Sequence, residues 1–157
     1  MSLTAPPQSA AEDPLALERQ VCFALAVASR EVIALYRPVL APLGLTHPQY
    51  LVMLALWERD ERSLRDLADT LALEPATLSP LLKRLEASGL VRRRRHRADE
   101  RLLAVTLTAQ GRALRRRAEK VPEQIVARLD MPVSELLELN AALRRVIDAA
   151  TAGGDAP

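Results

Sequence analysis

The chain holds one cysteine, Cys22, so neither an internal disulfide nor a cysteine-rich zinc site can form. Aromatic residues are confined to Phe23, Tyr36, Tyr50 and Trp57. That is too few for the aromatic and β-branched packing of a sandwich or barrel. Histidine occurs only at His47 and His96, and there is no Gly-rich phosphate loop and no His-Glu-x-x-His. A metal centre or catalytic triad therefore lacks material, and neither a cofactor nor an enzyme is expected. No apolar run reaches the roughly 18 residues of a membrane helix. Residues 1–14 lack the basic start and apolar stretch of a secretion signal. A cytoplasmic protein with a reduced thiol, not engaged with a membrane, is the expectation. Glycine is scarce, and Gly44, Gly89 and Gly111 stand singly between apolar-periodic segments, where helix stops are expected.

What is present is helix-forming material, dominated by Leu, Ala, Arg and Glu. With 49% hydrophobic residues, the 157-residue chain can bury the core of one domain. The net charge of +2 hides an asymmetry. Between Leu81 and Arg101 eight basic residues face three acidic ones, a local +5 that leaves −3 for the rest. A basic block on a near-neutral chain is the footprint of a phosphate-binding surface, or else a solvated charged face.

The apolar spacing predicts a proline-containing disordered arm over residues 1–13 and a long helix from about Pro14 to Tyr36. Pro38, Pro42 and Gly44 should end that segment. Thr46 can cap a second helix running to about Arg59, with Pro48 in its first turn. Ser63 with Asp66 resembles a capping box for a short helix carrying Leu64, Leu67, Ala68 and Leu71. After a brief turn, Pro75 opens a helix with Leu78, Leu81, Leu82 and Leu85 on one face. Two short helices, a tight turn, then Gly89 and a strand make helix-turn-helix organisation. Leu103, Val105 and Leu107 alternate with polar or small residues as in a half-buried strand. Leu90-Val91 begin its partner, with a basic loop between. Thr108 should cap a long helix to Leu129, and a last helix should follow Pro132, with a flexible tail from 151. The expected fold is mainly α with a small β-hairpin wing. A winged helix-turn-helix lobe spans about 48–108, and helices at about 14–42 and 109–150 carry apolar surface for a second copy of the chain.

Over residues 15–150 this arrangement resembles the MarR family of bacterial transcriptional regulators. The resemblance is carried by DER at 99–101, by LLKRLEASGLV at 81–91 and by LT at 107–108. It is narrower to the organic hydroperoxide-sensing (OhrR) branch, through CFAL at 22–25, YRP at 36–38, LTHPQYL at 45–51, LWE at 56–58 and ATLSPLLKRL at 76–85. The resemblance implies a homodimeric repressor on a palindromic operator of double-stranded DNA, with Cys22 as the peroxide sensor. Tyr36 and His47 would stand near the sulfur. His47 occupies a place where the branch usually has tyrosine, Ala26 another, and the region 125–128 lacks the second cysteine of some members. Without a resolving cysteine, the oxidised thiol should go on to a mixed disulfide with a small thiol or to over-oxidised forms.

In the recognition helix, Thr77, Ser79, Pro80, Lys83 and Arg84 suit base edges or phosphates in the major groove. In the wing, Arg101 matches the family arginine that enters the minor groove, and Asp99 can hold its guanidinium. Arg92, Arg93, Arg94, Arg95 and Arg97 are expected on phosphates. Tyr50 and Trp57 are expected in the core. Two other readings stay open: a regulator gated by a small phenolic or lipophilic ligand, with Cys22 a packing residue, and a thiol peroxidase, for which no further active-site group is visible.

Overall fold

The computed structural model describes residues 13–95 and 103–154. Helix α1 spans Val21–Leu40. It begins seven residues later than the spacing predicts, because Leu17–Arg19 forms a separate 3-10 turn and Gln20 is extended. It also runs through Pro38 to Leu40. A proline in a last turn forfeits one backbone bond, here to the carbonyl of residue 34, and does not break the helix. A 3-10 turn at Ala41–Leu43 ends on Gly44, whose φ of 70° is left-handed. Helix α2, His47–Glu58, opens on a reciprocal cap: the Thr46 side chain accepts from the Gln49 N–H, and the Gln49 side chain accepts from the Thr46 N–H.

Strand β1 is only Arg62–Ser63. Helix α3 (Leu64–Leu71) is capped by Ser63, which accepts from the Asp66 N–H, and α4 (Pro75–Ala87) follows. Ala72 takes a left-handed φ of 51° in the tight turn between them. Strands β2 (Val91–Arg95) and β3 (Leu103–Leu107) pair antiparallel, with Val91 opposite Leu107 and Arg95 opposite Leu103. The winged hairpin is present, with β1 added at its other edge in the order β1-β3-β2. A two-residue strand has no periodicity to detect, which is why the sequence predicts only two strands.

The predicted long fifth helix is two: α5 (Ala109–Ala118) and α6 (Val121–Leu129). Pro122 cannot donate back to the Ala118 carbonyl, so the ladder stops there. Helix α7, Val133–Gly153, takes in the first three residues of the tail expected from Thr151. Gly111 is not a stop. It lies inside α5, where a Cβ would stand 2.1 Å from the Leu90 carbonyl oxygen, so its missing side chain lets β2 approach. Gly89, at φ 76°, does end α4.

One core joins these elements. Leu40 of α1, Met53 and Leu56 of α2, Leu67 of α3, Leu78, Leu82 and Leu85 of α4, Val105 of β3 and Val121 of α6 are almost fully buried. The N-terminal half of α1 and all of α7 stand outside it. Val21 is 67% exposed, Leu137 66% and Ile147 59%, and no residue of α7 is buried. Apolar surface on that scale is unstable against water unless another surface covers it. No single helix among the described residues is long and apolar enough to cross a membrane.

Candidate nucleic-acid interface and thiol site

Helix α4 turns Leu78, Leu82 and Leu85 inward, and the 3.6-residue period then sends Thr77, Ser79, Pro80, Lys83 and Arg84 outward. All five are exposed. Among the described residues neither Lys83 nor Arg84 enters an ion pair, so both cations are available to an external anion. The four arginines of β2 are not equivalent. Strand alternation separates Arg92 and Arg94 from Arg93 and Arg95. Arg92, Arg94 and Arg95 are exposed, but Arg93 is half-buried, and its Nε donates to the Glu86 carboxylate of α4 at 2.5 Å. Arg93 thus ties the wing to the recognition helix, a role different from the phosphate contact expected of it from the sequence. Arg97, Asp99 and Arg101 lie outside the described residues.

The wing is also fastened from behind. Asp60 Oδ1 accepts from the Leu107 N–H at 2.9 Å, and its Oδ2 pairs with Arg112 of α5 at 2.8 Å. Thr108 caps α5 by accepting from the Gly111 N–H, and its hydroxyl donates to the Gly89 carbonyl at 2.6 Å. The indole N–H of Trp57 donates to the Gly111 carbonyl at 2.9 Å, so Trp57 is half-buried rather than core. Sequence reasoning missed Asp60 and Arg62. Both lie in a charged stretch, 58–62, whose signal is that of an exposed loop.

Cys22 is exposed, in the first turn of α1. Tyr36 lies on the same continuous helix fourteen residues on. At about 1.5 Å per residue that separation is roughly 21 Å. One chain therefore does not bring Cys22 to Tyr36. It does bring Tyr36 to His47, with ring centroids 4.9 Å apart and edge-to-face, and to buried Tyr50 at 5.9 Å. Burial raises the pKa of Tyr36, so its hydroxyl remains a hydrogen-bond donor at neutral pH. Burial lowers that of His47, so its imidazole is neutral there and supplies no positive charge to a thiolate. A cleft of about 360 Å³ opens between α2 and the α5–α6 joint, lined by Tyr50, Leu54, Trp57 and Pro122 with Arg115 at its rim.

A helix-turn-helix, a three-stranded wing and a recognition helix with unpaired cations define a winged-helix DNA-binding protein. Comparison with known proteins narrows this. A family described as transcriptional regulator SarA/Rot matches residues 34–117. The chain is 40% identical over 96% of its length to the HTH-type transcriptional regulator TtmR of Methylorubrum extorquens, covering 78% of that protein. It is 37% identical to the organic hydroperoxide resistance transcriptional regulator of Bacillus subtilis, over 87% of this chain and 92% of that one. Among solved structures, reduced AbfR bound to DNA superposes with a TM-score of 0.70 at 36% identity, over 86% of this chain and 94% of AbfR. AbfR, from Staphylococcus epidermidis, has also been solved over-oxidised on DNA and in a disulfide form. The chain belongs to the MarR family of transcriptional regulators, and it is a DNA-binding regulator rather than an enzyme.

Proposed function

We propose that the protein is a homodimeric repressor that leaves a palindromic operator when an organic hydroperoxide oxidises Cys22. The observation that supports this reading is the spacing of Cys22 and Tyr36 along one continuous α1. Cys22 and Tyr36 lie seven residues either side of Ser29. They also share a face, because fourteen residues is close to four turns. Two antiparallel copies of α1 crossing near Ser29 bring Cys22 of one against Tyr36 and His47 of the partner subunit. Ala26 and Ser29, both exposed and on that face, permit that close approach. The same pairing, with α7, covers the apolar surface that the single chain leaves in water, so residues 14–42 and 109–150 form the dimerisation region.

The chemistry balances without a second cysteine. The Cys22 thiolate attacks a peroxide oxygen. The S–O bond forms as the O–O bond breaks, and the alkoxide leaves and takes a proton as an alcohol. The sulfenic acid then condenses with a small cellular thiol, losing water to give a mixed disulfide. Over-oxidised AbfR has been solved on DNA, so oxygen on sulfur does not by itself exclude DNA from that relative. Release here is therefore assigned to the bulkier thiol adduct. It wedges the α1 pair apart and changes the spacing of the two recognition helices, which must meet half-sites about one turn of duplex apart.

The experiment uses a fluorescent duplex that the parent selects from a random library. Cumene hydroperoxide with a small thiol should release the parent and leave Cys22→Ser bound, with equal affinity of the two before oxidation. Equal release of both proteins would refute the reading. The apolar cleft beside Trp57 favours the ligand-gated alternative, in which a small phenolic compound releases both and hydroperoxide releases neither.

A further inference from the structure

Arg62 is the one charged side chain that is buried among the described residues, at 7% exposure. Burying a guanidinium is costly unless every donor finds a partner. Here the partners come from two helices. Nε donates to the Ala55 carbonyl of α2 at 3.0 Å. One terminal nitrogen donates to Asp66 at 3.2 Å and to the Thr70 hydroxyl at 3.1 Å, both on α3. The other lies 3.6 Å from Glu58 at the end of α2. The backbone of Arg62 is itself strand β1, set opposite Val105 of the wing. A single planar fork thus fixes the end of α2, the first helix of the helix-turn-helix and the wing sheet relative to one another. Between these three elements an apolar side chain would supply volume but no angular preference, whereas the guanidinium accepts only one arrangement of its acceptors.

We infer that Arg62 is a positioning residue for sequence-specific DNA binding, setting the docking angle of α3 and α4 without touching DNA. The inference rests on the DNA-binding face of the reading above and not on its redox part. Non-specific binding depends on cations meeting phosphates and tolerates a loosely held helix. Base readout does not, because bidentate contacts to base edges fail when the recognition helix tilts. Arg62 therefore governs the ratio of specific to non-specific affinity.

The test compares the parent with Arg62→Met on two probes at a temperature where both are folded by circular dichroism: the library-selected duplex and a random duplex of equal length. Arg62→Met leaves Asp66 paired with Arg59 and on the surface, so no carboxylate is stranded in the core. The expected result is a loss of roughly tenfold on the selected duplex, within the range of residues that act through others. Affinity for the random duplex and its salt slope should be unchanged. Arg62→Lys, which keeps the charge but not the fork, should fall between. Thr70→Val removes one α3 contact and should lower the ratio in the same direction, and it provides the readout should Arg62→Met not fold. Equal losses on both duplexes, or no loss on either in folded protein, would overturn the inference.

Discussion

The inequality among the β2 arginines leads to a measurable salt effect. Each phosphate neutralised on duplex DNA contributes about 0.9 to the slope of log affinity against log salt. Arg94 and Arg95 are exposed and lie on opposite faces of β2. Whichever face meets the backbone, Arg94→Ala with Arg95→Ala removes between two and four contacts from a dimer. The slope should then fall by roughly 1.8 to 3.6. Across a fourfold rise in salt, the double variant's deficit against the parent should shrink by a factor of roughly 10 to 150. Arg93 is already neutralised by Glu86. Removing both members, Arg93→Ala with Glu86→Ala, should leave the slope at the parent value, although the loosened hairpin lowers affinity by a constant factor at all salts. Anisotropy titrations of one duplex at four salt concentrations give all three slopes. A full drop in slope for the Arg93/Glu86 pair, with none for Arg94/Arg95, would refute the assignment of roles.

Thr108→Ala removes a helix cap and a donor to the Gly89 carbonyl together, and should cost about 1–2 kcal/mol in urea unfolding at unchanged m-value. The hydrogen bond from Arg59, with the charges of Arg59 and Arg62, lowers the Asp66 pKa. The stability this carboxylate contributes is present above its unfolded value of about 4 and is lost as pH falls through the lowered folded value. Asp66→Asn should therefore flatten the acid limb below about pH 4 in pH-dependent urea midpoints, and an unchanged limb would contradict the pairing. In mixed dimers of the parent with the double variant Cys22→Ser/Tyr36→Phe, the one thiol faces a phenylalanine of the partner and the other site has no thiol. Hydroperoxide should oxidise these dimers more slowly than mixed dimers of the parent with Cys22→Ser, whose one thiol faces an intact tyrosine. Equal rates by stopped-flow would place Tyr36 outside the thiol site.

Much of the helix-turn-helix was legible in the sequence, because its signals are local. Thr46, Ser63 and Thr108 cap as their side-chain chemistry requires, and the leucines of α4 define its outward face by period alone. What was hidden is relational. Gly111 looks like a stop until the Leu90 carbonyl is placed against it. Arg93 is indistinguishable from Arg92 in a run of four arginines, and only strand parity with Glu86 nearby separates them. Arg62 reads as one more surface charge. The proposed thiol site was half legible: Cys22, Tyr36 and His47 are identifiable, but only the unbroken α1 shows that one chain keeps Cys22 apart from Tyr36.

In the proposed mechanism the state of Cys22 sets occupancy of DNA. That dependence is tested most directly by titrating a preformed complex with cumene hydroperoxide in the presence of a small thiol. Each sample is split between anisotropy and intact-mass measurement. The account predicts that the bound fraction falls in step with the fraction of chains carrying one thiol adduct. DNA that stays bound when every Cys22 carries the adduct, or DNA released while the mass is unchanged, would contradict it.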